Sequence, residues 1–172
     1  GSEDQKSQYL PGLAAGSSIG CLAVAEMAGH TTPASITTSG DSSLNGTKLA
    51  VADGDIADFA IVIASSDAGD GATAYIANLN QDGVARETVE TLDPSRSHAT
   101  LTFENASAEP LGLPGEGWSL VQQVYDRAAV LFAWEQIGGA QICLDMAKDY
   151  AMGRFAFGRP IASFQAIKHK LA

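Results

Sequence analysis

The hydrophobic pattern divides the chain into three textures. Residues 1–18 read as a helical lead-in. Ser2 is a candidate N-cap, and Glu3 and Asp4 follow it at the positive end of the helix. Pro11 and Gly12 are expected to interrupt that helix, and Ala14-Ala15-Gly16 to end it. Between residues 19 and 108, short apolar runs alternate with turn signals. The runs are 19–25, 44–51, 59–64, 73–79, 84–89 and 99–103. Asn45-Gly46 is a hairpin dipeptide, and Asp53-Gly54 and Asp82-Gly83 are further turn pairs. Short strands at this spacing predict a small β-barrel or sandwich over residues 19–110. The run 59–64, Phe-Ala-Ile-Val-Ile-Ala, contains no polar position, which predicts a strand buried on both faces.

The third texture begins at Ser119, a candidate N-cap. Val121, Val124, Ala128, Leu131, Trp134 or Glu135, and Gly138 recur at steps of three and four up to Met152. A helix of that extent is roughly 50 Å long at about 1.5 Å per residue, and it belongs to a helical bundle. Gly138-Gly139 lies in its middle, where each glycine costs about 1 kcal/mol against alanine. Gly158-Arg159-Pro160 then breaks the chain, and a second helix is predicted over 161–172, with Phe164, Ile167 and Leu171 on one face. Two helices cannot close a bundle core. The chain is therefore expected to be a piece of a larger protein: a lead-in over 1–18, a β-domain over 19–110, a Gly/Pro connector over 111–118 and the start of an α-domain over 119–172.

Charge narrows the function classes. The net charge is −10, with a sequence pI near 4.5. Affinity for phosphate backbones and anionic membrane surfaces comes from clustered cations, so nucleic-acid and membrane-surface binding are excluded as expectations. The N-terminal residues lack the apolar core of a signal peptide, and no apolar stretch approaches the roughly 20 residues of a membrane span. Two cysteines 122 residues apart, Cys21 and Cys143, form no disulfide framework, and an intracellular, cytoplasmic setting is expected. His30, His98 and His169 are scattered, so no metal site is expected. Asp53-Gly54-Asp55 with Asp58 lacks the spacing of a calcium loop, and Gly112, Gly115 and Gly117 are too sparse for a phosphate loop.

Two spots carry more specific chemistry. Asp126-Arg127 is an adjacent acid–base pair inside a largely apolar helix, either an intramolecular ion pair or a ligand-facing site. The second spot runs from Tyr150 to Pro160, with Gln165 one turn into the next helix. An arginine, aromatic rings and an amide at a tight helix junction suit a phosphate joined to a planar ring, because Arg clamps phosphate bidentately and an aromatic stacks. A purely structural corner is the other reading.

The segment from Arg154 through Phe157-Gly158 and Phe164-Gln165 to Ala172 resembles the FAD-contacting helix pair of acyl-CoA dehydrogenases. Residues 1–16 resemble the segment before that family's middle β-domain. Leu44-Asn-Gly-Thr-Lys48 and Ile56-Ala-Asp58 resemble its strands, and Tyr125-Asp126-Arg127 its first bundle helix. The resemblance spans the whole chain. It implies an α+β chain, with a middle β-barrel followed by the first two helices of a four-helix bundle. It also implies FAD-dependent oxidation of an acyl-CoA thioester to a trans-2-enoyl-CoA. A base removes the α-proton, the β-hydride goes to the flavin, and electrons leave through an electron-transfer flavoprotein.

The resemblance implies roles residue by residue. Arg154, Phe157, Phe164 and Gln165 correspond to residues that reach the FAD of a neighbouring subunit, in a homo- or hetero-oligomer. Arg127 corresponds to an arginine near the CoA arm, and Thr31 falls in a segment that touches flavin and thioester. The usual catalytic glutamate would lie beyond residue 172. A minority of members carry it just before the helix arginine, where this chain has Asp126, one methylene shorter. Two segments depart from the pattern. Family members show Thr-Glu-Pro where this chain has Ala25-Glu26-Met27, and Trp-Ile-Ser/Thr where it has Ala50-Val51-Ala52. The implied function is part of an acyl-CoA dehydrogenase subunit, expected to be incomplete or inactive alone. The alternative is a non-catalytic subunit of a heteromeric dehydrogenase that supplies FAD contacts to its partner.

Overall fold

The computed structural model describes residues 1–41, 43–65 and 71–172. Helix α1 spans Glu3–Ala15. Ser2 caps it reciprocally: Ser2 Oγ accepts the Gln5 N–H at 3.1 Å, and Gln5 Oε1 accepts the Ser2 N–H at 3.0 Å. Pro11 does not interrupt the helix as expected. Proline removes its own backbone donor and crowds the carbonyl four residues back, yet the helix continues through it, and Ser17 N–H and Gly16 N–H close the last turn onto Gly12 and Leu13 carbonyls at 3.0 and 3.2 Å. The helix is also held from outside. Gln5 Nε2 donates to the Pro110 carbonyl, Tyr9 Oη donates to the Glu109 carboxylate, each at 2.9 Å, and the Tyr9 ring meets Phe59 at 4.7 Å.

The strands are β1 (Gly20–Ala23), β2 (Ser39–Gly40), β3 (Leu44–Ala52), β4 (Phe59–Ser65), β5 (Ala72–Asn78), β6 (Val84–Val89), β7 (His98–Ala106) and β8 (Glu109–Leu111). They form one mixed sheet in the order β6-β7-β3-β2-β4-β5-β8, with β1 pairing parallel to β4. The expected barrel is not formed: the sheet is open, and its terminal strands β6 and β8 do not pair. Strand β8 is three residues long and carries Pro110, which offers no N–H for a further ladder. The bonds from Gln5 and Tyr9 cover that edge instead.

Strand β4 is the centre. It pairs with β1, β2 and β5, and its run Phe59–Ser65 is almost wholly buried, as its unbroken apolarity predicts. One side packs Leu44, Val62, Tyr75, Leu101 and Phe103; the other packs Val24, Ile36, Ile63 and Ala74 against Val121, Trp118 and Leu120. Asn45-Gly46 does not turn the chain. It lies inside β3, where pairing with β7 shifts register between Leu44 and Gly46, and Asn45 Oδ1 accepts the Asn105 N–H at 2.8 Å. The dipeptide steps the strand and leaves its direction unchanged.

Helix α2 spans Gly117–Gly153, starting two residues before the expected cap. The chain divides into two compact units, Gly1–Gln122 and Gln123–Ala172. In the second, Val130, Leu131, Phe132, Trp134, Ile137 and Ile142 are each more than half exposed. Successive residues point about 100° apart, so these six side chains spread over more than half of the helix circumference, a wider stripe than one packing face needs. Two further strands, β9 (Phe155–Ala156) and β10 (Arg159–Pro160), form an antiparallel ribbon that the sequence reading lacked. The second helix is shorter than predicted: a 3-10 turn occupies Ile161–Ser163, and α3 spans only Gln165–Leu171. Among the described residues, no helix is long and apolar enough to cross a membrane, and no cluster of His, Cys, Asp and Glu is placed to hold a metal.

Candidate functional site

In the first unit the chemistry centres on a buried ion pair. Strand β3 alternates inward from Leu44, which brings Lys48 into the interior with no exposed surface. Lys48 Nζ donates to Glu26 Oε1 at 2.6 Å, to the Val24 carbonyl at 3.1 Å and to the Ile63 carbonyl. Glu26 also accepts from Thr37 N–H at 2.6 Å, Thr37 Oγ1 at 2.5 Å and Thr38 N–H at 3.0 Å. Burial alone would raise the Glu26 pKa, but the bonds from Lys48, Thr37 and Thr38 outweigh it and hold the pKa at about 2. Burial lowers the Lys48 pKa against the opposing pull of Glu26. The pair fastens both ends of the segment between β1 and β2 to the sheet.

Thr31 lies in that fastened segment, half-buried, next to the reciprocal Thr32–Ser35 bonds that shape the following turn. Ala25 and Ala52 are half-buried and Ala50 is exposed. Ala50 adopts φ 49° at the second register shift of β3, between Lys48 and Val51. At these positions the chain offers methyl groups, with neither ring nor hydroxyl.

In the second unit, Asp126 and Arg127 are both exposed on α2, and among the described residues no ion pair joins them. Adjacent helical positions diverge by about 100°, so sequence adjacency does not bring the two head groups together. Arg154 follows α2, about 40 Å along the helix axis from Arg127, so the two arginines serve different ends of that helix.

The junction after α2 gathers the remaining candidates. Arg154 N–H donates to the Tyr150 carbonyl at 2.9 Å, and the Arg154 carbonyl accepts the Ile161 N–H at 2.8 Å. Strands β9 and β10 are joined by Phe157 and Gly158, with φ of 52° and 79°, the geometry of a type I′ turn. The turn leaves the Phe157 ring 95% exposed. Phe157 and Phe164 meet edge to face at 6.3 Å, and the Arg159 guanidinium lies over the Phe164 ring at 4.1 Å. Phe164 is the N-cap of α3, and Gln165, exposed, is its first residue. Among the described residues, neither Arg154 nor Arg159 forms an ion pair.

This junction lies within the match to the family model "Acyl-CoA dehydrogenase, C-terminal domain", which covers residues 115–172. The acyl-CoA dehydrogenase of Bacillus subtilis (strain 168) is 35% identical over 185 residues, covering all of this chain and 49% of that protein. The chain belongs to the acyl-CoA dehydrogenase family. The fold agrees. A glutaryl-CoA dehydrogenase from Mycobacterium smegmatis, solved in complex with FADH2, superposes with a TM-score of 0.83 at 28% identity, over 99% of this chain and 46% of that one. A glutaryl-CoA dehydrogenase–glutaryl-CoA complex gives a TM-score of 0.91 at 27% identity, over 99% and 47%. The chain thus spans about half the length of the acyl-CoA dehydrogenases it matches.

Two residues of this family member escaped the sequence reading. Lys48 was legible as a lysine at an inward position of an alternating strand, where a cation demands a partner. Arg159 stands in the chain break and in the stretch from Tyr150 to Pro160, but its contact with Phe164 needs the three-dimensional turn.

Proposed function

We propose that this chain is part of an FAD-dependent acyl-CoA dehydrogenase subunit, oxidising an acyl-CoA thioester to a trans-2-enoyl-CoA and passing electrons to an electron-transfer flavoprotein. The observation that carries the reading is the junction itself: Arg154 without a carboxylate partner among the described residues, the exposed Phe157 ring, Phe164 and the Gln165 amide within one short ribbon and helix start. Such a set fits a ligand that joins a diphosphate to a planar base. FAD, when bound, supplies the hydride acceptor. Arg154 would hold the diphosphate, Phe157 and Phe164 would offer ring surface, and Gln165 would offer an amide to a neighbouring subunit's FAD. Arg127 attracts the anionic CoA arm, and Thr31 offers a hydroxyl near the thioester. The lead-in, β-domain and bundle-start assignment of 1–18, 19–110 and 119–172 is part of the same reading, as is a cytoplasmic setting.

Arg154→Ala in the intact assembled protein should weaken FAD binding about 10- to 150-fold, the worth of roughly 1.5–3 kcal/mol for a charge-assisted bond. Unchanged FAD retention, followed by flavin fluorescence on dilution, would sink the reading.

Asp126 is proposed as a structural residue rather than the base. It reaches about 1.5 Å less than a glutamate, and a misplacement of roughly 1 Å can cost about 100-fold. Asp126→Asn should therefore leave turnover within a few-fold of the parent. Loss of turnover with folding and flavin content intact would instead make it the base.

A second reading is favoured by Ala25, Ala50 and Ala52. These methyl groups stand where the family resemblance puts its own-ring contacts, whereas the junction that reaches a neighbour is complete. In a homo-oligomer both sets serve the same cofactor, so losing one alone is unexpected. In a heteromer, this subunit would supply Arg154 to its partner's flavin and hold none itself. The expected ratio is about one FAD per pair of unlike subunits, and full occupancy in a homo-oligomer would contradict it.

A further inference from the structure

We propose that Arg159 is a second phosphate contact at the junction, held in readiness by the Phe164 ring. This rests on the reading of that junction as a binding place for the diphosphate of a dinucleotide. The first argument is charge. The chain carries −10 overall, yet residues 150–172 contain Arg154, Arg159, Lys168 and Lys170 and no carboxylate. In so acidic a protein, an exposed arginine with no carboxylate partner among the described residues is a cation kept free of internal pairing.

The second argument is register. Arg159 pairs with Ala156 across the β9–β10 ribbon, so the two side chains share a face. Arg154 lies two residues before Ala156, just outside β9, and its carbonyl accepts the Ile161 N–H at 2.8 Å, which continues the ribbon's register and places it toward that face. The residue between the two arginines is alanine, which leaves room for an anion between them. The third argument is preorganisation. A guanidinium over an aromatic ring, here at 4.1 Å, keeps its N–H edge available for a bidentate acceptor while losing less freedom on binding than a free side chain. A lysine would supply the charge without the fork or the stacking plane. Arg159 thus acts as a contact, and Phe164 as the residue that positions it.

The test uses the intact assembled protein with three ligands: FAD, ADP and riboflavin. Arg159→Leu should weaken FAD and ADP about tenfold, leave riboflavin unchanged, and flatten the dependence of FAD affinity on salt concentration. Arg159→Lys should fall between the parent and Arg159→Leu, and Phe164→Leu should weaken FAD less than Arg159→Leu. Unchanged FAD and ADP affinity in Arg159→Leu would overturn the proposal. So would an equal loss for riboflavin or an unaltered salt dependence, either of which marks a purely structural role. Arg154→Ala, measured alongside, separates the failures. If it also leaves FAD binding unchanged, the reading of the junction fails; if it weakens binding while Arg159→Leu does not, only the role of Arg159 fails.

Discussion

Lys48→Met should destabilise the protein by about 3–5 kcal/mol, because it strands the Glu26 carboxylate in the interior without its cation. Glu26 has only 6% of its side chain exposed, and Lys48 has none. Denaturant unfolding at neutral pH measures the loss. Acid provides a second signature. In the parent, the Glu26 pKa falls from an ordinary 4.5 to about 2 on folding. A depressed carboxylate pKa gives stability that is complete above the unfolded value and is lost as pH falls through the folded one. The window runs from about pH 5 down to about pH 2, and the contribution lost is on the order of 3 kcal/mol at about 1.4 kcal/mol per unit. Without Lys48, burial is no longer outweighed in the same way, so the acid loss should shrink or reverse. Glu26→Leu combined with Lys48→Met should recover part of the single variant's deficit, since a buried pair replaced by apolar groups is often neutral. A double variant as unstable as the sum of both singles would show that the ion pair is not the source.

Gly83→Ala is the second large effect, at about 3 kcal/mol. Two costs add. Gly83 has φ 80°, where an L-residue pays roughly 1–2 kcal/mol. A β-carbon there would also lie 2.3 Å from the Glu104 carbonyl oxygen, a backbone atom that cannot rotate away, adding an overpacking cost of about 1–3 kcal/mol. Gly16 isolates the first cost. Its φ is 68°, but nothing lies within 4 Å of its would-be β-carbon, so Gly16→Ala should cost only about 1 kcal/mol. Thermal midpoints of the two variants give the comparison, with the Gly83→Ala shift roughly three times the other. Equal shifts would mean that the backbone around Glu104 yields freely.

Much of the sheet was legible because its signals are local. The apolar run 59–64 predicted a strand buried on both faces, and Asp82-Gly83 marked the turn before β6. Asn45-Gly46 misled because the same glycine that permits a hairpin also permits a bulge; the choice was made by β7, some 60 residues away, through the Asn45–Asn105 bond. The barrel expectation failed for a related reason. Strand count and spacing say nothing of whether the outer edges meet, and here α1 binds β8 through Gln5 and Tyr9. At the junction, the individual residues were readable as chemistry. The two-strand ribbon was too short to leave a periodic signal, and it is this ribbon that relates Arg159 to Arg154.

The parallel seating of β1 beside β4 has a kinetic consequence. The strand at 20–23 cannot pair until residues 59–65 exist, β3 waits for 98–106, and α1 acquires its Pro110 acceptor 105 residues after Gln5. Loop closure over such separations makes folding slow relative to locally wired proteins of similar size. During synthesis at about 5–20 residues per second, the first strand would wait roughly 2–8 seconds for β4, and the sheet's last strand would emerge roughly 5–20 seconds after the first. Until those partners form, Cys21, Ala23 and Val24, buried in the folded protein, lack their cover.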